Sequence, residues 1–312
     1  MLETPVAFII FNRPDTTAKV FQAIRQAQPQ KLFVIADGAR PDKLGEAEKC
    51  AETRAIIDRV DWDCEVLKNY SDINLGCKKR VSSGLDWVFS EVEEAIILED
   101  DCLPSPSFFN YCQMLLKCYR HDDRIMMISG NNFQNEQIRT PYSYYFTKYP
   151  HIWGWASWRR AWKYYDVNMR TWEEYKGLGL LNSLCEDEHE CQYWSSRFDE
   201  TFRGQVDTWD YQWHYTCWAQ HGLSIEPSLN LVSNLGCHAD ATHTFDETAS
   251  YAALRVHNIW EIQHPPFMAR QIEADSYCFN HRYDGMSMKQ KDSISTKIRS
   301  PFNKLRAYFR KE

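Results

Sequence analysis

The chain has 312 residues, 44% of them hydrophobic and 25% charged, and its net charge is −7. This composition is that of a globular protein with one large domain or two fused lobes. The negative charge excludes a molecule built as a whole to bind nucleic acid or anionic lipid. No apolar run approaches the roughly 18 residues of a membrane span, and Val6–Phe11 is too short for a signal peptide.

The eleven cysteines are scattered, with no Cys-x-x-Cys pair. This argues against a disulfide framework and against a zinc ribbon, so reduced, mostly buried thiols in a cytosolic protein are the expectation. Cys185, His189 and Cys191 come closest to a metal cluster. Their spacing fits no standard zinc pattern, which favours a solvated helix.

Strand and helix alternate over about the first 130 residues. Apolar runs typical of buried strands cover Val6–Phe11, Lys31–Ala36, Cys64–Lys68, Ala95–Leu98 and Arg124–Ser129. Between them the pattern predicts helices from Thr16 to about Gln28, Lys43 to Val60, Lys78 to Val92 and Pro106 to Tyr119. The alternation predicts an α/β protein with a mostly parallel, Rossmann-like sheet flanked by helices.

Three of these strands are followed by polar residues: Asn12-Arg13, Asp37 and Glu99-Asp100-Asp101. Ligands of such sheets bind beyond the carboxyl ends of the strands, so the three groups are expected to share one crevice. Adjacent carboxylates repel one another, and Mg²⁺ or Mn²⁺ is the commonest reason for placing them together. An acidic cap of the helix near Pro106 is the alternative. Glycine-rich dinucleotide and Walker loops are lacking, which favours a metal opposite any bound phosphate.

From Pro141 the alternation stops, and nine of the twelve tryptophans lie between Trp153 and Trp218. Extended pieces are predicted at Tyr142–Thr147, Leu223–Pro227 and Leu229–Val232. Helices are predicted at Ser157–Tyr165, Leu178–Cys185, Glu188–Arg203 and from Asp207 to about His221. We divide the chain into a nucleotide-sugar-binding region (1–135), an acceptor and catalytic region of the same domain (136–275) and a basic tail (276–312).

In order and spacing, these motifs resemble the nucleotide-diphospho-sugar glycosyltransferases of the GT-A fold. The likeness is to the inverting N-acetylglucosaminyltransferase I type and to bacterial polysaccharide glycosyltransferases, and it covers most of residues 5–245. It is carried by Phe11-Asn12-Arg13, Ala36-Asp37, Leu98–Asp101 before Pro106-x-Phe-Phe109, Trp209-Asp-Tyr-Gln-Trp213, the His151–Trp162 block and the Asp240–Thr244 loop. Tyr211 departs from the family, which usually has a second Asp there.

The resemblance implies a role for each matching residue. Arg13, Asp37, Lys78 and Arg80 would contact the donor nucleotide, and Asp100 would hold its ribose or a metal-bound water. Asp101 would bind Mn²⁺ or Mg²⁺, joined by His243, while Glu99 would point toward the sheet. Asp210 would be the general base. Trp209 and Trp213 would present their faces to the acceptor sugar, as would an exposed Trp155 in an otherwise packed Trp block.

Each role has a plain structural alternative. Asp37 fits a turn before Gly38, Asp210 fits a helix cap, and His243 fits a loop. Lys78 and Arg80 also fit a solvated helix start.

The expected activity is an inverting, metal-dependent transfer of a sugar from a UDP-sugar to a glycan or lipid-linked hydroxyl. The resemblance indicates N-acetylglucosamine as the sugar. The alternatives are a sugar-1-phosphate nucleotidylyltransferase and a non-catalytic glycan-binding module. We expect a cytoplasmic protein that binds no nucleic acid. From Met288 the tail carries eight Lys or Arg and two acids, which fits either a contact with an anionic membrane or a solvated terminus.

Overall fold

An eight-stranded sheet runs through the computed structural model, which describes residues 2–236 and 254–291. Its order is β3-β2-β1-β4-β8-β6-β9-β7. The strands are β1 (Val6–Ile10), β2 (Lys31–Ala36), β3 (Glu65–Tyr70), β4 (Glu94–Glu99), β6 (Ile125–Ser129), β7 (Tyr144–Thr147), β8 (Trp155–Trp158) and β9 (Leu223–Pro227). All except β7 and β8 run in one direction. This architecture confirms the predicted α/β class with a mostly parallel, Rossmann-like sheet.

Helices cover both faces of the sheet. The first four are α1 (Pro14–Ala27), α2 (Glu46–Ala55), α3 (Gly76–Glu91) and α4 (Phe108–Cys118). One apolar core joins α1 and α4 to the sheet, and a second joins α3 to the opposite face. Burial from both sides explains why β1 and most of β2 and β4 are uninterrupted apolar runs.

The second half of the chain adds strands to the same sheet and a helical layer of its own. Its helices are α5 (Arg159–Trp162), α6 (Trp172–Gly177), α7 (Glu188–Phe202), α8 (Asp210–Ala219) and α9 (Ile272–Arg282). A third, aromatic core packs α6, α7, α8 and α9 together. Because β8 lies between β4 and β6, strands from both sides of residue 135 alternate in the sheet. The division into three stretches stays a prediction.

The second half of the chain differs from the predicted elements in several places. The helix predicted at Leu178–Cys185 is only a 3-10 helix, Leu180–Ser183. Ser157 was expected to open a helix, but Trp155–Trp158 is strand β8, and the helix that follows is only Arg159–Trp162. The strand is fixed by antiparallel pairing with β4 and β6, which are distant in sequence. Helix α9 was not expected, because its buried residues include Asp275 beside Ala274, Cys278 and Phe279. A polar core residue breaks the apolar pattern of an amphipathic helix.

A two-stranded sheet stands beside the end of β4. Strand β5 (Cys102–Pro104) pairs antiparallel with β10 (Val232–Asn234), and the Leu235 amide donates to the Asp101 carbonyl at 2.7 Å. The Asp240–Thr244 loop with His243 and the tail from residue 292 lie outside the described residues. Across the described part of the chain, none of the helices has the length and apolarity needed to cross a membrane.

Candidate active site

The end of β1 and the end of β4 meet through Arg13. Its Nη1 donates to Asp101 Oδ2 at 2.6 Å and to Asp100 Oδ1 at 3.4 Å. The backbone amide of Phe11 donates to Asp100 Oδ2 at 2.9 Å. Both strands end at the same edge of the sheet because they pair in parallel. The structure therefore brings together Arg13, Asp100 and Asp101, as the strand-end pattern predicted.

The acidic triplet has three carboxyl groups and, in Arg13, one neighbouring guanidinium. Burial raises the pKa of Glu99 to about 8, and the charges of Asp101, Asp100 and Asp210 add to that rise. Burial also raises the pKa of Asp100 to about 7, again with a contribution from Asp101. Arg13 lowers both values, but it is one positive charge against several carboxylates. The crevice is therefore a favourable place for a further cation.

Asp210 approaches the triplet from the other half of the chain. It is the first residue of α8, and its Oδ1 accepts hydrogen bonds from the Thr208 hydroxyl and, at 3.0 Å, from the Tyr211 amide. No hydrogen bond within the described ranges engages its Oδ2. The carboxylate is thus held on one oxygen, and the other is available to accept a proton.

Asp37 is a structural anchor of the neighbouring turn. Its carboxylate accepts from the amides of Gly38, Leu75 and Gly76 and from Asn74 Nδ2, at 2.9–3.1 Å. Burial raises the pKa of Asp37, and the three backbone donors counteract that rise. These bonds fasten the start of α3 to the end of β2. Contact between Asp37 and a nucleotide stays a prediction.

The two basic residues predicted at the start of α3 have different surroundings. Lys78 is half-buried, and its amide donates to Asp207 Oδ1 at 3.4 Å. Arg80 is buried, and its Nη2 donates to the carbonyl and side-chain oxygen of Asn69 at 2.7 and 2.9 Å. The alternative of a solvated helix start is therefore wrong for Arg80. Their contact with a donor stays a prediction.

The three tryptophans predicted to face an acceptor sugar are buried instead. Trp155 packs on Trp209 and Trp213, each with ring centroids 5.7 Å apart, and all three rings are at most 2% exposed. A ring without an exposed face cannot stack on a sugar, so the expected exposure of Trp155 and the platform role of all three are wrong for this structure. The cluster lies beneath the first turn of α8, where Tyr165 donates to the Trp209 carbonyl at 3.1 Å. It therefore supports Asp210.

Sequence reasoning missed a second polar contact at the same edge. Glu46, at the start of α2, is buried and accepts from Asn12 Nδ2 at 2.8 Å. It also pairs with Arg40, whose guanidinium lies 5.7 Å from the Phe11 ring centroid. Arg40 thereby places a half-exposed positive charge near the end of β1. No local motif marks this pair, because it depends on the folding of α2 against β1.

The residues present fit a divalent cation that is coordinated jointly by the protein and by the phosphates of a nucleotide. No group of three or more His, Cys, Asp or Glu side chains in residues 2–236 and 254–291 is arranged to hold a metal. Mg²⁺ bound with phosphates typically takes only one or two protein carboxylates. Asp101 offers such a carboxylate, and a Cβ at Gly236 would collide with its Oδ2. Glycine at 236 therefore keeps space beside that oxygen, while His243 lies outside the described residues.

Comparison with known proteins gave distant structural similarities. No family model and no curated protein matches the chain. A UDP-glucose pyrophosphorylase complexed with UDP-glucose is similar over 47% of this chain and 62% of its own, less than two thirds, with 11% identity and a TM-score of 0.27. A 4-diphosphocytidyl-2C-methyl-D-erythritol synthase from Anaerococcus prevotii is similar over 56% and 77%, with 9% identity and a TM-score of 0.30.

The inositol-1-phosphate CTP transferase from T. maritima is similar over 52% of this chain and 74% of its own, with 7% identity and a TM-score of 0.30. Similarities this distant bear on neither activity nor substrate. We therefore infer function from the residues of the crevice.

Proposed function

We propose that this protein is an inverting, metal-dependent glycosyltransferase of the GT-A type that uses a UDP-sugar. The observation that carries the proposal is the meeting of two separate carboxylate groups at one crevice. Asp100 and Asp101 follow β4. Asp210 opens α8, whose Trp213 packs on Trp155 of β8, the strand paired with β4. Carboxyl groups that outnumber the neighbouring guanidinium suit a cation–diphosphate pair on one side, and Asp210 suits the role of proton acceptor on the other.

The donor side of the crevice has the charges that a nucleotide diphosphate needs. Arg13 and Lys78 are cations for its phosphates, and Asp101, with His243, would hold Mn²⁺ or Mg²⁺. A bound metal supplies Lewis-acid stabilisation of the negative charge that grows on the leaving nucleotide. Arg13 already neutralises part of Asp101, so it orients the same carboxylate that the cation would use.

On the acceptor side, Asp210 would take the proton of the attacking hydroxyl. The hydroxyl oxygen forms a bond to the anomeric carbon as the bond to the nucleotide diphosphate breaks, and the proton goes to Asp210 Oδ2. Thr208 and the Tyr211 amide fix the other oxygen, so the carboxylate is oriented before the acceptor binds. One base without a separate nucleophile gives a single displacement with inversion.

Substitution of the two carboxylates separates their roles. Asp101→Ala should abolish both transfer and the thermal shift produced by UDP with Mn²⁺. Asp210→Asn should abolish transfer and keep that shift, because it leaves the donor side intact. Glu93→Gln, at an exposed acid before β4, is the control for the loss of one negative charge.

A panel of nucleotide sugars with and without Mn²⁺ identifies the donor. Full transfer by Asp210→Asn would refute its role as base. Release of pyrophosphate from a nucleoside triphosphate would assign the protein to the nucleotidylyltransferases instead. Sugar binding indifferent to Mn²⁺ and nucleotide would assign it to non-catalytic glycan binders. A cytoplasmic location, a glycan or lipid-linked acceptor and membrane contact by the tail belong to the same proposal.

A further inference from the structure

A second polar cavity, of about 230 Å³, lies beyond the acidic crevice. It is bordered by the loop that follows β6, by the chain that follows β9 and by the segment at residues 254–257. Its lining is polar except for Leu229 and Leu254. None of the described residues assigned to the donor, the metal or the general base lines it. The cavity is therefore a separate feature of the molecule.

The topology of the sheet places this cavity at the same ends of the strands as the active-site carboxylates. Strands β6 and β9 run parallel to β4, so their carboxyl ends point the same way as the end of β4 at Glu99. The order β4-β8-β6-β9 separates β4 from β6 by two strand spacings and from β9 by three. Neighbouring strands are about 4.8 Å apart, so the cavity lies roughly 10–15 Å from the acidic triplet, measured across the strands.

One side of the cavity is held by hydrogen bonds, and its lining also has side chains without a hydrogen-bond partner in the described residues. Asn230 is buried and is fixed by bonds to the Asn132 amide and to the Val232 carbonyl at 3.1 and 2.9 Å. The side chains of Asn135, Ser228 and Arg255 have no hydrogen-bond partner among the residues that the structure describes. A fixed wall with spare hydroxyl, amide and guanidinium groups suits a ligand rich in hydroxyl groups.

The loop after β6 is strained where it meets the cavity. Asn135 and Glu136 have φ angles of 49° and 62°, so two consecutive non-glycine residues are left-handed. Glu136 Oε1 lies 3.2 Å from His257 Nε2, which ties the loop to the opposite wall. Backbone strain of this kind is concentrated at ligand sites and switch regions. Here it accompanies a contact between an acid and an imidazole that both line the cavity.

We infer that this cavity binds a saccharide unit of the acceptor that is remote from the reacting hydroxyl. The inference rests on the proposed glycosyltransferase function and deepens it. A ligand that reaches from the acidic triplet to the cavity must have several sugar units, so the acceptor would be an oligosaccharide. A nucleotide fits the lining less well, since His257 is the one ring among its described residues and Glu136 adds a negative charge. Hydroxyl groups of a sugar match the mixture of amide, hydroxyl, carboxylate and guanidinium groups.

Binding to an array of oligosaccharides, with the full chain and without nucleotide, tests the inference. The array contains oligomers of neutral hexoses, of N-acetylhexosamines and of uronic acids. We expect the protein to retain at least one of them. Ser228→Trp, which fills the cavity, and Arg255→Ala should each weaken that binding at least tenfold in a titration. Arg59 is an exposed arginine that precedes the amino end of β3, and Arg59→Ala should leave oligosaccharide binding unchanged.

Arg255 is exposed, so Arg255→Ala keeps the test informative if Ser228→Trp fails to fold. All variants should keep the thermal shift with UDP and Mn²⁺. Retention of no oligosaccharide, or retention equal in wild type and in folded cavity variants, overturns the inference. Cavity-dependent retention without turnover of any nucleotide sugar refutes the proposed function alone. Turnover with retention indifferent to the cavity variants refutes the inference alone.

Discussion

The acidic triplet and the aromatic half of the molecule hold their acidic residues in different ways. Around β1 and β4, Glu99, Asp100 and Asp101 share one guanidinium at the end of the sheet. In the aromatic half, each buried acid has a donor of its own. Glu190 pairs with Lys148, Glu226 accepts from Tyr145, and Asp275 accepts from Thr147.

The number of partners distinguishes a structural carboxylate from one that is available to a ligand. Where every acid has its own donor, the network holds helices together and needs no ligand. Where acids outnumber their cations at the open end of a sheet, the unbalanced charge is available to a substrate or a metal. A raised pKa occurs in both halves, so the number of partners separates the two cases.

Removal of a core ring should have the largest effect on stability. Trp213→Ala should lower the free energy of unfolding by about 3–5 kcal/mol, because it leaves a large cavity beside Trp155, Trp162 and Met127. Urea denaturation measures the loss. Trp260 is 63% exposed, so Trp260→Ala is the matched control and should cost at most about 0.5 kcal/mol. A small effect of Trp213→Ala would contradict the packing role given to the Trp cluster.

Breaking the buried ion pair between Lys148 and Glu190 should lower the free energy of unfolding nearly as much. Lys148 Nζ lies 2.8 Å from Glu190 Oε1, and the two side chains are 2% and 1% exposed. Lys148→Met should cost about 3 kcal/mol, since it leaves Glu190 as an unpaired buried charge. The double variant Lys148→Met with Glu190→Gln should recover most of the loss in the same urea experiment. Equal losses for the single and double variants would mean that charge pairing is not the cause.

The pH dependence of stability tests how a buried acid of the aromatic half contributes to folding. Burial raises the pKa of Glu226 to about 8, so the folded state keeps a proton there that the unfolded chain releases near its ordinary value of 4.5. Stability from this group is complete below about pH 4.5 and is lost as the pH rises through about 8. Between about pH 6 and pH 8 the loss should reach about 2 kcal/mol.

Glu226→Gln removes this titration and keeps an acceptor for the Tyr145 hydroxyl. Thermal unfolding at several pH values should give a flatter profile for the variant than for wild type. Asp275, whose pKa burial raises to about 7, accounts for part of the slope that remains. Parallel profiles would show that Glu226 is already ionised in the folded protein.

The smallest predicted effect concerns the glycine that starts α3. Gly76 has a φ of 78°, and a Cβ there would lie 2.8 Å from Asp207 Oδ2. Gly45 has nearly the same φ, 77°, and open space around it. Gly45→Ala should cost about 1 kcal/mol for the left-handed backbone alone, and Gly76→Ala somewhat more. The difference in urea midpoint measures the contact with Asp207, and no difference would mean that Asp207 moves away freely.

The sequence was sufficient to predict the framework of the first half. Strands β1, β2 and β4 are apolar runs because both of their faces are buried, and Asp37, Asp100 and Asp101 follow them directly. Strand order then places these acids on one edge. The convergence of Arg13 with the triplet was predictable for that reason.

Other features depend on contacts that no local pattern encodes. Strand β8 exists because β4 and β6 pair with it on either side, and Trp155 is buried because α8 covers it. The contact between Arg40 and Glu46 and the anchoring of Asp37 by the 74–76 turn likewise join separate elements. From the sequence alone, an aromatic residue fits either a platform for a sugar ring or a position in the hydrophobic core. Only the packing of distant helices decides between them.

The bond from the Leu235 amide to the Asp101 carbonyl also bears on how the protein is made. Strand β10, which backs the acidic triplet, is encoded about 130 residues after β5, its partner. During synthesis β1 to β4 can pair long before residue 235 leaves the ribosome. We therefore expect the acidic crevice to be among the last parts to acquire its native backbone contacts, because closing so long a loop is slow. Chains released early would have most of the sheet without a finished active site.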